Sequence, residues 1–346
     1  MKNKRKMFGR LSRSAEEKIK CNLGKGEKRM YIADAHCDAL LQLWSDDTKD
    51  FETDPVVNGD ALKKGDVNAQ VFAVFDPVYE RRDDGFSIIL RQLDVFHEKV
   101  RTHSRITYAP GEPLRTESRK TRAILALEGA DAVSDDWMRW RLLKRLGIES
   151  VGLTWNEGNS LAAGCFEQKA NGLSNKGEAV VDWLKAEGMI LDGAHLNEQS
   201  FYEALERCGT FFVSHANARG VHDHVRNLTD EQLRMVKEKN GLIGMTFFSS
   251  FINGEKEAGF ADLARHIDEV SSRIGPEYIG FGSDFDGIAF PVKRLEGPHR
   301  LPALLDWLLT RYKEEDVKRW AGENFRTFYN RHIEKNKTAI QRGRLQ

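Results

Sequence analysis

From Tyr31 onward the chain repeats one pattern: a short apolar run, a loop, then a stretch with apolar residues at three- and four-residue spacing. The apolar runs are YIADAH (31–36), VNAQVFAVF (67–75), RAILALEG (122–129), ESVGLTW (149–155), MILDGAH (189–195), TFFVSHA (210–216), GLIGMTFF (241–248) and YIGFGSDFDG (278–287). Several are almost unbroken, as parallel strands buried on both faces are. The stretches 86–101, 137–146, 174–187 and 258–274 read as amphipathic helices. Asn197 is placed to cap NEQSFYEALERC, with Gly209 just past its end. Thr229 and Gln232 have capping-box spacing before LRMVKEK, which Asn240-Gly241 closes. Two more helices are expected near 300–312 and 314–332. Eight strand-then-helix units in one compositional regime predict an α/β fold, a (β/α)8 TIM barrel. An open doubly wound sheet is disfavoured because no G-x-G-x-x-G follows the first strand.

Composition narrows the class. The 346 residues hold 53 Lys+Arg and 53 Asp+Glu, 40% apolar and 31% charged, which suits a soluble globular chain. The balance argues against a body built to bind nucleic acid. No apolar run nears the roughly 18 residues of a spanning helix, so no membrane anchor is expected. Cys21, Cys37, Cys165 and Cys208 form no CxxC pair, which fits reduced thiols and a cytoplasmic location. Residues 1–30 carry eleven Lys/Arg against three Glu, a net +8. No apolar stretch of signal-peptide length follows them, so they are read as a solvated basic extension. The expected organisation is an extension over 1–30, a barrel over 31–335 and a polar tail over 336–346.

Chemistry concentrates at the strand ends. His36 and Asp38 close the first strand at i and i+2, a spacing that on an extended backbone turns both side chains to one face. Glu128 ends the third run, His195 the fifth, His215 the sixth, and Asp284 and Asp286 the eighth. In a (β/α)8 barrel these ends surround the active site. Three imidazoles with two or three carboxylates make a metal-ligand set that suits Zn²⁺. The set exceeds the needs of one tetrahedral ion, and two ions about 3.5–4 Å apart, bridged by Glu128, would use the surplus. His222 and His224, two apart in a charged loop, are read as solvated, and Cys37 as a packing residue.

DAHCD (34–38), ALEGADAV (126–133), GLSNKGEAVVDWLKAEGMILDGAH (172–195), VSHANARGVHDHVRNLTDEQL (213–233), HIDEV (266–270), YIGFGSDFDGI (278–288) and AGENFRTFY (321–329) together resemble the membrane dipeptidases, the renal-dipeptidase family of zinc peptidases. The resemblance runs from Tyr31 to about Tyr329 and implies a barrel of the metal-dependent hydrolase type. It implies that His36, Asp38 and Glu128 hold one zinc ion and Glu128, His195 and His215 a second. Arg226 would pair with the substrate's C-terminal carboxylate, and Asp284 would stand near the scissile bond and the substrate amine. It further implies tolerance of D-residues at the C-terminal position, and a homodimer.

One position departs from the family pattern. Where the best-known members carry a histidine that contacts the substrate carbonyl, this chain reads LTWNEGN, with Trp155 in its place. Indole N–H donates one hydrogen bond but cannot become a cation. Trp155, Asn156 or Asn159 could supply the missing donor, or the substrate range could differ. The expected reaction is hydrolysis of a dipeptide by a hydroxide held between two Zn²⁺ ions, with Asp284 passing a proton to the leaving amine. The alternatives are a dinuclear hydrolase acting on another amide, a lactone or a cyclic imide, and a non-catalytic binding protein on the same barrel.

Overall fold

A computed structural model describes residues 30–77, 85–116, 118–167 and 171–343. The basic extension, apart from Met30, lies outside the described residues.

One parallel sheet contains β1 (Ala33–Asp34), β2 (Ala69–Phe75), β3 (Ile106–Tyr108), β4 (Thr121–Glu128), β5 (Ile148–Gly152), β6 (Ile190–Asp192), β7 (Thr210–Ala216), β8 (Ile243–Met245) and β9 (Ile279–Phe281). Its order is β2-β1-β9-β8-β7-β6-β5-β4, and β2 pairs with β4 from Ala69↔Arg122 to Phe75↔Glu128. That last pairing closes eight strands into the (β/α)8 barrel that the apolar runs predict. β3 is an addition the sequence pattern does not announce. It lies against the start of β4, Ile106↔Thr121 to Tyr108↔Ala123, where β5 has not yet joined. The first strand is far shorter than the run 31–36, because the chain bends after Asp34 and pairs again only at the Cys37–Phe285 bridge.

The helices are α1 (Ala39–Ser45), α2 (Gly59–Lys64), α3 (Gly85–Val95), α4 (Trp137–Arg145), α5 (Asn175–Ala186), α6 (Glu198–Arg207) and α7 (Asp230–Glu238). They continue with α8 (Ser249–Ile252), α9 (Phe260–Ile274), α10 (Leu301–Leu309), α11 (Glu314–Lys318) and α12 (Asn324–Gly343). The predicted caps are present. The Asn197 side chain accepts from Ser200 N at 2.8 Å, and Thr229 and Gln232 form the reciprocal capping box. Each such cap contributes about 1 kcal/mol. α12 runs on through the boundary expected at 335 and reaches Gly343. Among the described residues no helix is long and apolar enough to cross a membrane.

Val71, Ile124, Ala126, Ile190 and Phe212 come from strands on different sides of the ring yet share one buried cluster, so they fill the barrel interior. Phe325, Phe328, Tyr329 and Ile333 of α12 join the same cluster, and Phe328 stacks on Phe212 at 5.8 Å. The last helix thus closes the end of the barrel from which the strands start. Alternation along β4 carries the face of Ile124 and Ala126 on to Glu128, so the carboxylate enters the interior at the opposite end.

Candidate metal centre

Five of the residues singled out at strand ends meet at that opposite end. Glu128 follows its strand inward, whereas His36 lies two residues past the end of β1 and Asp38 is further on still. It stands at the start of α1 with φ −107° and ψ 26°. The expectation that His36 and Asp38 share a strand face therefore does not hold, because the backbone has already turned into the helix; the turn itself brings the carboxylate back to His36. His195 and Asp284 have left-handed backbones, φ 67° and 65°, a conformation uncommon for residues with a Cβ. Between β7 and β8 the pairing shifts between Val213 and Ala216, next to His215, the kind of irregularity that re-aims a side chain.

The ligand atoms fall into two trios that share Glu128: His36, Asp38 and Glu128, and Glu128, His195 and His215, each within 4.8 Å. His36, His215 and Asp284 make a third grouping. His36 Nε2 lies 3.5 Å from Glu128 Oε2, 3.6 Å from Asp38 Oδ2 and 4.0 Å from Asp284 Oδ1. On the other side, Glu128 Oε1 is 2.8 Å from His195 Nε2 and 3.7 Å from His215 Nε2, and the two Nε2 atoms are 2.9 Å apart. All five residues are buried.

Electrostatics divides the two sides. Burial pulls His36 down, but the Glu128 and Asp38 carboxylates outweigh it and hold the imidazole well above its ordinary value. Burial pushes Glu128 up, yet the His36 charge leads the effects that hold it well below the usual carboxylate range. Burial and the Arg226 charge lower His195 to about 4. Burial, His36 and Arg226 lower His215 as well. Asp284 is pushed well above the carboxylate range by burial, with the Asp38 and Glu128 charges adding to it. Near neutral pH two imidazoles thus present lone pairs beside an ionised Glu128.

This donor set fits divalent cations. His36 Nε2 and Asp38 Oδ1 are buried with no hydrogen-bond partner, which is costly for groups meant to stay unpaired. Three imidazoles and the Asp38 carboxylate around a shared glutamate suit zinc by softness and by count.

The supporting residues are mostly ones the sequence does not point to. Asp34, buried beneath the site, accepts from Ser283 N and Oγ at 2.7 and 2.6 Å and from Gln70 at 3.0 Å. It also accepts from His36 N at 3.4 Å, so it fixes both the first and last strand ends. Ser214 Oγ meets His215 Nδ1 at 2.8 Å. Gly287 packs so tightly on the acids that a Cβ there would lie 2.1 Å from Asp38 Oδ2.

The remaining candidates separate. Arg226 is 4% exposed, donates from Nη2 to the His215 carbonyl at 3.4 Å and lies over the Phe251 ring. Trp155 lies against Phe75 at 5.4 Å and lines a recess with Phe75, Glu128 and Gly129. Asn156 is not among the residues lining that recess, and its Oδ1 is 2.9 Å from His195 Nδ1. Asn159 does line the recess, and it also holds its own loop, donating to Leu153 O at 2.7 Å and accepting from Leu161 N at 2.8 Å. Asp286 is also outside the cluster. Its two oxygens accept from Val56 N and Val57 N at 2.7 and 2.9 Å and tether the loop before α2. His222 and His224 stack at 6.2 Å and join no ligand group among the described residues.

Residues 26–342 match the membrane dipeptidase family, peptidase family M19. Dipeptidase 3 of Rattus norvegicus is 26% identical over 295 residues, covering 81% of this chain and 60% of that protein. The chain thus spans about 60% of the length of that curated relative. A solved dipeptidase of family M19 superposes with a TM-score of 0.82 at 24% identity, over 89% of this chain and 99% of its own. A metallopeptidase from Rhodobacter sphaeroides, solved with a phosphinate mimic of the dipeptide L-Ala-D-Ala, gives 0.79 at 23% identity, over 86% and 98%. At those identities the two structures speak to the fold.

Proposed function

Because the chain belongs to the membrane dipeptidase family, we propose that it is a zinc-dependent dipeptidase that hydrolyses the peptide bond of dipeptides and accepts a D-residue at the C-terminal position. The observation that carries the reading is the pair of buried ligand trios sharing Glu128, with the Arg226 guanidinium next to them. His36, Asp38 and Glu128 would hold one ion, and Glu128, His195 and His215 the other. Zinc held there would supply a Lewis acid for the peptide carbonyl and would lower the pKa of a bound water toward neutrality.

The protein's own groups do the rest. Arg226 fixes the substrate's free carboxylate by a two-pronged charge-assisted contact, which restricts substrates to short peptides ending at that point. Burial of the guanidinium keeps water from competing for it. Asp284, 4.0 Å from His36, would take up a proton from the attacking water and deliver it to the leaving amine. The tolerance of a D-residue is supported by the phosphinate complex of the Rhodobacter sphaeroides relative, a mimic of L-Ala-D-Ala. Buried thiols at Cys37, Cys165 and Cys208 fit a cytoplasmic setting.

Trp155 beside Glu128 supports a second reading, in which the same metal site acts on another amide, a lactone or a cyclic imide. The test is a zinc-reconstituted assay on L-Ala-D-Ala and L-Ala-L-Ala, with a chelated control. Chelator-sensitive cleavage is expected. About two zinc ions per chain without cleavage of either dipeptide would reject the substrate class and move the search to lactones and imides.

A further inference from the structure

We propose that Asn156 is a positioning residue for the metal ligand His195, assisted by Thr154, so that the segment bearing the anomalous Trp155 serves to hold a ligand; the inference rests on the dinuclear reading above. His195 needs such a hold, because its left-handed backbone, φ 67°, is disfavoured for a residue with a Cβ. Its carbonyl accepts from Cys165 N at 2.8 Å and from Thr154 Oγ1 at 3.3 Å. Its ring Nδ1 lies 2.9 Å from Asn156 Oδ1, and the Trp155 ring flanks it at 6.1 Å. The backbone oxygen and the ring are therefore both fixed from the loop after β5.

The side-chain carbonyl of Asn156 only accepts, so the His195 proton sits on Nδ1 and the Nε2 lone pair faces Glu128 Oε1 and His215 Nε2, at 2.8 and 2.9 Å. The same oxygen accepts from Cys165 Sγ at 3.5 Å, which keeps the amide turned this way. His215 is held through a relay instead: its Nδ1 meets the Ser214 hydroxyl at 2.8 Å, and that hydroxyl is also bonded to the Asp192 carboxylate. Asn156 is thus what commits one imidazole to its ligating form before any metal arrives.

Zinc titration of the metal-free full-length protein tests this, together with the ¹⁵N shifts of the His195 ring at neutral pH without metal. The wild type should bind two ions and show His195 protonated at Nδ1. Asn156→Leu should keep one ion at wild-type affinity, weaken the other about 10–100-fold and populate the Nε2-protonated ring. Asn156→Asp retains an acceptor and should restore both. Unchanged affinities and an unchanged tautomer in Asn156→Leu would overturn the proposal. Weaker zinc binding in Asn156→Asp would overturn it too, whatever the folding of the leucine variant. A wild type that takes up no zinc would instead overturn the dinuclear reading, and the metal-free tautomer would still decide whether Asn156 holds His195.

Discussion

Gly287→Ala places one methyl group against the acidic half of the site and nothing else. The Cβ would lie 2.1 Å from Asp38 Oδ2 and 2.8 Å from Asp284 Oδ1. Ordinary contact begins near 3.4 Å, so the Asp38 carboxylate must retreat by about 1.3 Å. The Gly287 backbone is not among those with positive φ, so alanine meets no conformational penalty and the effect is steric. Asp38 is buried, and any retreat from the methyl alters its 3.6 Å approach to His36 Nε2. Misplacing a reacting group by about 1 Å can cost about 10²-fold in rate, whereas overpacking costs only about 1–3 kcal/mol of stability. The variant should therefore stay folded, bind zinc more weakly on the His36 side and lose about two orders of magnitude in kcat/KM on L-Ala-D-Ala. Metal titration, circular dichroism and steady-state kinetics on one preparation measure all three. Two ions at wild-type affinity with unchanged kcat/KM would refute the placement of Asp38 in the metal site.

Glu128→Gln removes the charge shared by both trios, and zinc at both positions should weaken by more than the ~10–100-fold typical of outer partners; an unchanged zinc content measured by atomic emission would sink the bridging role. Arg226→Ala should raise KM for dipeptides about 10–100-fold, the equivalent of a lost charge-assisted hydrogen bond of ~1.5–3 kcal/mol, with metal content unaltered; an unmoved KM would remove the carboxylate contact. At the other end of the barrel, His332 is 5% exposed, and burial followed by the Lys335 charge lowers it to about 4. Its Nδ1 meets Thr210 Oγ1 at 3.0 Å and its Nε2 meets Asn336 Nδ2 at 3.1 Å. The unfolded chain takes up this proton at a higher pH than the folded one. Its contribution is therefore complete above about pH 6.5 and is lost as pH falls toward 4, by up to about 3 kcal/mol. His332→Gln should flatten Tm against pH in that window; parallel wild-type and variant profiles would contradict it.

The barrel was legible because its strands are buried on both faces. RAILALEG reads as a strand within one residue of β4, since nothing polar interrupts it before the glutamate. β3 was not legible: Ile-Thr-Tyr is three residues long and becomes a strand only because the start of β4 leaves an edge for it. The first run failed in the opposite sense. YIADAH looks like six extended residues, but Asp34 draws its hydrogen bonds from Ser283 and Gln70, on two other parts of the ring, and the chain bends there.

The ligands were legible for a topological reason, since each ends a barrel strand or opens the turn after one. Their supports are not, because a support is defined by what it touches across the ring. Asp284 and Asp286 look alike in SDFDG, yet one is 4.0 Å from His36 and the other is spent on two backbone amides of the loop before α2. Asn156 and Asn159 differ in the same way: equally polar and three apart, they bond to a ligand ring and to their own loop. Spacing along a chain tells which face a side chain takes, but not which partner waits there. Arg226 shows the consequence. Eleven residues past His215 and in no strand, it is marked only by the family resemblance, yet its buried place over the Phe251 ring and a bond to the His215 carbonyl fix it beside the ligands. Burial lowers both neighbouring imidazoles first and the Arg226 charge adds to it, so the group assigned to the substrate's carboxylate and two of the metal ligands share one buried field.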